Sequence, residues 1–349
     1  MTDQPAHLIV ESVSRRFGNV TALDAVSMHI DRGQIACLVG HSGCGKSTLL
    51  RAIAGVEPID GGSISIGGRT FCGPDTFVEP EHRNVGLMFQ DYALFPHLTA
   101  RQNIGFGLAR SSRAERSARV EDIIARLGIE KLADRFPHML SGGEQQRIAL
   151  ARALAPQPDV LLMDEPFSNL DRSLRETIRA ETLSIVRALG ITAIVVTHDP
   201  EEALAVGDVV VLMDRGRVVE AGPGETIYRA PHTPYAASFF SRINRIPARR
   251  AGGRIHSVFG SFAAPDKGSE DVKIFVRPQS FKLNGAGASA QVVRRALLGE
   301  IEELVLKVDG LDDFVVMRTS VRQSVNVGDA VLLGIEPDEV MVFPAEPEN

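Results

Sequence analysis

The chain has 349 residues, 44% of them hydrophobic, and a formal net charge of −6. That length suits a large domain plus a smaller one, and the acidic balance argues against a surface built to coat nucleic acid. With only 3 cysteines, one of them (Cys44) inside a glycine-rich loop, the sequence argues against a disulfide framework and suits a reducing compartment.

No basic-then-apolar signal pattern appears at Met1-Thr2-Asp3-Gln4-Pro5, and no run approaches the ~20 apolar residues of a membrane helix. If the protein works at a membrane, another polypeptide must supply the crossing. Residues 8–35 alternate polar and apolar, with turn signals at Gly18 and Asp31-Arg32-Gly33, and predict antiparallel strands. Ile35-Ala36-Cys37-Leu38-Val39 is the continuous apolar run of a strand covered on both faces of a parallel sheet. A helix is predicted over 46–54, ended by Gly55. The pattern turns helical over 92–155, where Val120, Ile123, Ile124 and Leu127 share one face and Gly128 closes the helix.

Strand and helix then alternate: a strand over 160–163, a helix through Leu174, Ile178, Ile185 and Leu189, and a strand over 191–197. This order predicts an α/β fold with a parallel sheet, an antiparallel β region and a helical lobe inserted at about 91–155. Residues 209–220 read as a hairpin turning at Asp214-Arg215-Gly216. Beyond Ser238, short alternating segments at 273–276, 304–308, 314–317 and 331–335 predict a small all-β domain of barrel or sandwich type. The expected division is 1–238 and 239–349.

Gly40-His41-Ser42-Gly43-Cys44-Gly45-Lys46-Ser47, followed by Thr48, fits the phosphate-loop pattern G-x-x-x-x-G-K-[ST] between a buried strand and a helix. Its glycines let backbone N–H groups turn toward phosphates, and the helix presents its positive end to them. Lys46 is expected to reach the β/γ-phosphates and Ser47 to hold Mg²⁺. Asp164 ends a buried strand and is the second candidate for the Mg²⁺ shell. Glu165, next in sequence, is the candidate general base for an attacking water, a role worth about 10²–10⁴-fold in rate. Ser141-Gly142-Gly143 opens a helical run stopped by Pro156, so Ser141 is a candidate cap and the start of that helix a second anion site.

The order of these elements, from residue 8 to residue 235, resembles a complete ATP-binding subunit of the ATP-binding-cassette (ABC) transporters. The resemblance implies a RecA-like core with antiparallel and helical subdomains, followed by a TOBE-type regulatory domain. It makes Gln90 the residue that senses Mg²⁺ and the lytic water, and His198 the contact to the γ-phosphate. Phe17 takes the place of the aromatic that stacks on adenine. Ser168-Asn169-Leu170-Asp171 matches the loop that crosses the dimer interface, with Asp171 counted among the nucleotide-binding residues. Two copies are implied to face head to tail, each ATP lying between Lys46 of one and Ser141 of the other. Two departures stand out: Glu144 replaces the usual Gln of the signature and adds a negative charge there, and Asn169 replaces a usual Ala, from which little is expected.

The segment 89–99 resembles that of prokaryotic importers, implying transmembrane permease subunits, an indirect solute-binding protein and a place on the cytoplasmic face of the membrane. Gly68-Arg69-Thr70-Phe71, the 77–83 segment, Arg135-Phe136-Pro137-His138 and Val342-Phe343-Pro344 look closest to ferric-iron importers. The alternatives are the same machine importing polyamine, molybdate, sulfate or another small solute. A soluble cassette acting on nucleic acid or ribosomes fits less well, since the chain has no sustained heptads and only one cassette. A small-molecule kinase leaves Ser141-Gly142-Gly143 and His198 without a role.

Overall fold

The computed structural model describes residues 7–109, 111–263 and 269–345; the Met1–Pro5 reading lies outside them. The chain divides into two compact units, Met1–Ile227 and Tyr228–Asn349, so the division falls upstream of the textural change at Ser238. The helix Pro234–Phe240 goes with the second unit because its Ala237 packs with Phe275, Met341 and Phe343.

The first unit holds two sheets. One is antiparallel, in the order Val20–Ile30, Leu8–Phe17, Gly61–Ile66, Arg69–Gly73, Thr76–Phe77. The other runs Arg217–Gly222, Val209–Asp214, Ile35–Val39, Thr192–Thr197, Val160–Asp164, Val85–Met88. Its pairings are parallel except for the hairpin at Asp214. Every residue of Ile35–Val39 is buried, as a strand covered on both faces requires. The helix Lys46–Ala54 follows at once, and its Leu49, Leu50 and Ile53 share one core with Leu8 and Ile64 of the antiparallel sheet and Leu38, Leu162 and Val196 of the parallel one.

Helices Ala100–Ile104, Arg113–Leu127 and Gly142–Leu154 form the lobe, each opened by a residue whose hydroxyl accepts from the third backbone N–H: Thr99, Ser112 and Ser141. Val120, Ile123, Ile124 and Leu127 are the buried stripe of the second helix. No helix among the described residues is long and apolar enough to cross a membrane.

The second unit is built on two antiparallel sheets, one centred on Asn244–Ala251 and Asp271–Val276, the other on Phe281–Leu298 and Ile301–Val308. Ile246, Ile274, Val292, Leu304 and Leu333 meet in its core. The 18-residue strand Phe281–Leu298 has no clear alternation in sequence. It breaks register between Leu283 and Ala288, where Gly287 lies so close to the neighbouring strand that a Cβ would sit 1.9 Å from the Leu333 carbonyl. Arg277 is buried, stacks 4.1 Å from the Tyr228 ring and donates to the Tyr228 carbonyl, so the Arg277-Pro278-Gln279-Ser280 stretch anchors the start of this unit.

One unforeseen device supports the nucleotide helix. Arg83 is fully buried and donates to the carbonyls of Ala52 and Ile53, both at 2.9 Å, and of Val78 at 2.6 Å. A guanidinium at a helix C-terminus satisfies carbonyls that have no partner in the helix and opposes its negative end. Arg83→Met is expected to cost about 3 kcal/mol, because the Ile53 and Val78 carbonyls lose their donor in a dry site, while Ala52 keeps the Gly55 N–H. An unchanged urea midpoint would refute that role.

Candidate functional site

Three parallel strands, Ile35–Val39, Val160–Asp164 and Thr192–Thr197, end at the same edge of the sheet and deliver the candidate residues there. In open α/β sheets ligands bind at the carboxyl ends of strands. Gly40 follows the first strand, and the loop to Gly45 turns through left-handed glycines before the helix starts at Lys46. At Gly45 (φ 105°) a Cβ would lie 2.3 Å from the Ala22 carbonyl, so no other residue fits. His41, Ser42 and Gly43 are exposed at the loop's tip, while Cys44 is buried and Thr48 is partly buried in the first turn of the helix.

Lys46 is buried, and its Nζ donates to the carbonyls of Gly40 at 2.7 Å and His41 at 3.0 Å. The cation is thus held inside the loop, where phosphate oxygens would find it. Ser47 Oγ donates to Asp164 Oδ1 at 3.1 Å, joining the helix to the end of its neighbouring strand. Burial raises the Asp164 carboxyl above the ordinary range; the Ser47 bond opposes this and the adjacent Glu165 charge adds to it. A half-buried carboxylate and a hydroxyl are an all-oxygen donor set that suits Mg²⁺ and would be relieved by its charge.

Glu165 is the hub. Its φ is 45°, a left-handed conformation uncommon outside glycine, held by its N–H to the Val196 carbonyl at 3.0 Å and by Ser168 Oγ donating to its own carbonyl at 2.9 Å. The side chain is thereby set between two other candidates: His198 Nδ1 lies 3.1 Å from Oε1, and Gln90 Nε2 lies 3.4 Å from Oε2. Thr197 fixes the turn carrying His198, its hydroxyl donating to the buried Glu202 at 2.5 Å and accepting from Asp199 N–H at 3.1 Å. The structure therefore gathers Gln90, Glu165 and His198, with Asp164 next to Glu165 in sequence and Ser47 bonded to Asp164.

Phe17 is 45% exposed. The Arg15 guanidinium lies 4.8 Å from its ring centroid and is itself held by Glu57 at 2.6 Å and Asp60 at 2.8 Å. Sequence reasoning missed Arg15, whose carboxylate partners are more than 40 residues away.

The second anion element stands apart. Ser141, at the exposed start of the Gly142–Leu154 helix, has its side-chain hydrogen bonds with Glu144. Glu144 Oε2 accepts from Ser141 N–H at 2.8 Å and from Ser141 Oγ at 2.9 Å, and these bonds hold its carboxyl below the usual range. The departure at Glu144 is thus the second half of a reciprocal cap, with its charge folded back onto Ser141. Gly143 lies against Leu174 and Ile178. Among the described residues, Ser141 and Glu144 make no hydrogen bond to the phosphate loop. Asp171, assigned to the nucleotide by resemblance, caps the Arg172–Ala188 helix, its Oδ1 accepting from Leu174 N–H at 2.9 Å. Asn169, from which little was expected, donates from Nδ2 to the Gln90 carbonyl at 2.8 Å.

Comparison with known proteins places this geometry. The chain matches the ABC transporter family over residues 23–168 and the TOBE domain family over residues 274–343. It is 39% identical to the sulfate/thiosulfate import ATP-binding protein CysA 2 of Chromobacterium violaceum, across 97% of this chain and 96% of that protein. It is equally 39% identical to the CysA protein of the same description from Synechocystis, across 96% and 95%. Among solved structures it resembles the dimeric ATP-binding cassette MJ0796 in a post-hydrolysis state with ADP and Pi, at 30% identity and a TM-score of 0.54, covering 62% of this chain and 98% of that one. The ferric-iron expectation finds no support here, and the sulfate/thiosulfate names of these relatives fit the sulfate alternative better. The segments behind the iron expectation include the Phe136–His138 stack on the lobe and the Met341–Pro344 strand of the tail. The chain belongs to the ABC transporter family as an ATP-hydrolysing, ATP-binding subunit with a C-terminal TOBE domain.

Proposed function

We propose that this subunit powers import of sulfate or thiosulfate, working as a homodimer on the cytoplasmic face of a membrane whose permease subunits and solute-binding protein handle the ion. The names of full-length relatives support the substrate class. The observation that carries the catalytic reading is the convergence of Gln90 and His198 on the two oxygens of Glu165. Ser47, Asp164 and Gln90 would hold Mg²⁺, which would supply positive charge to the phosphate oxygens when bound.

In this reading the phosphate loop and Lys46 bind the β/γ-phosphates, and Phe17 stacks on the adenine. Glu165 accepts a proton from water as its oxygen forms a bond to the γ-phosphorus, and the bond to the bridging oxygen of ADP breaks. Gln90 orients that water. His198, donating from Nδ1 to Glu165, keeps the carboxylate aimed and turns its outer edge toward the γ-phosphate. The Ser141-Gly142-Gly143 start, exposed at Ser141 and Gly142, completes the site of the other copy, so ATP favours the closed dimer and hydrolysis releases it.

Three outcomes test this. Glu165→Gln should lower hydrolysis by at least ~10²-fold while trapping an ATP-bound dimer, visible by light scattering at saturating Mg-ATP. A variant that stays monomeric there would count against the sandwich. Glu144→Gln keeps an acceptor for the Ser141 N–H but removes the charge. It should reduce the ATP concentration for half-maximal rate by roughly two- to fivefold, a surface-charge effect below ~1 kcal/mol. Cells lacking the chain should recover uptake of radiolabelled sulfate and thiosulfate with the native form and not with Lys46→Ala. Equal uptake in all three strains, with no redundant importer present, would overturn the substrate assignment.

A further inference from the structure

We infer that Asn169 and Arg152 are positioning residues that together hold the 90–93 segment so that Gln90 stays against Glu165. The inference rests on the proposed role of Glu165 as general base. Gln90 is exposed, and its bonds to Glu165 and Ser168 are both long, at 3.4 Å, so they do not fix it alone. Its backbone is what the fold holds. Asn169 Nδ2 donates to the Gln90 carbonyl at 2.8 Å, from the same turn in which Ser168 bonds the Glu165 carbonyl. On the other side the Arg152 guanidinium donates to the carbonyls of Tyr92 at 2.7 Å and Ala93 at 2.6 Å and lies 5.7 Å from the Phe95 ring.

Those two carbonyls belong to consecutive left-handed residues, Tyr92 (φ 61°) and Ala93 (φ 43°), neither of them glycine. Such a pair persists only where its surroundings hold it. The buried Tyr92 ring and the Arg152 fork supply that hold. Arg152 sits in the last turn of the Gly142–Leu154 helix, whose first turn carries Ser141 and Glu144. A movement of the Ser141 end therefore reaches the turn that aims Gln90 through one continuous helix. Asn169 anchors the other end of the segment to the loop of the base itself.

The test is steady-state hydrolysis by the full chain, with kcat and KM separated and the melting temperature recorded. Asn169→Asp keeps the shape but removes the donor. It and Asn169→Ala should lower kcat by about three- to tenfold, the value of one hydrogen bond, with KM and melting temperature unchanged. Arg152→Met should lower kcat by about tenfold or more, since two charge-assisted bonds are lost. Adding Ala93→Gly to it should restore kcat, because glycine takes φ > 0 without a Cβ clash. If Arg152→Met fails to fold, the Asn169 pair decides. Wild-type kcat in both Asn169 variants overturns the inference, as does a loss in Arg152→Met that follows the melting temperature and is not restored by Ala93→Gly. Glu165→Gln, run alongside, separates the two levels. Undiminished hydrolysis there removes the base assignment and this inference with it, whereas its loss beside wild-type kcat in both Asn169 variants removes the inference alone.

Discussion

A parallel sheet buried on both faces can meet solvent only at the ends of its strands, and that constraint organises this protein. Ile35–Val39, Val160–Asp164 and Thr192–Thr197 carry almost nothing polar along their lengths, so their chemistry is displaced to the residues where they stop. Gly40 to Ser47, Asp164-Glu165 and His198 are those stops. Because the strands are paired in register, distant parts of the sequence arrive within hydrogen-bond reach of each other.

At this edge the backbone is held in conformations it would not choose. Glu165 is left-handed, as are Tyr92 and Ala93 in the turn beyond Gln90. Strain of this kind is tolerated where neighbouring bonds outnumber the ways to relax, and it leaves the carboxylate aimed before a ligand arrives. The Asp164 carboxyl, raised by burial, adds a local demand for positive charge that Ser47 only partly meets.

The start of the Gly142–Leu154 helix shows how one feature serves stability and recognition at once. A Ser at the cap with Glu at the third helical position satisfies two backbone donors reciprocally, which any helix would favour. The same arrangement keeps Ser141 and Gly142 at an exposed helix start, with the Glu144 carboxylate turned back onto Ser141. Reading Glu144 only as added negative charge overlooked that its first partner is local.

The sequence by itself determined the strand and helix order, the phosphate loop, the acidic strand end and the capped helix, because each depends on residues within a few positions of one another. Periodicity set the Arg113–Leu127 helix, and an unbroken apolar run marked the central strand. Only the tertiary structure decided what depends on distant partners. Arg83 beneath the nucleotide helix, Arg15 behind Phe17, Asn169 on Gln90, the helix cap at Asp171 and the 18-residue strand through Gly287 could not be read from local pattern. The segments that suggested iron lie in the antiparallel sheet, the lobe and the tail, and the names of the relatives fit the sulfate alternative better. Hydrogen bonds and close approaches between segments far apart in sequence leave no local pattern, so folding has to bring them together before they can be seen.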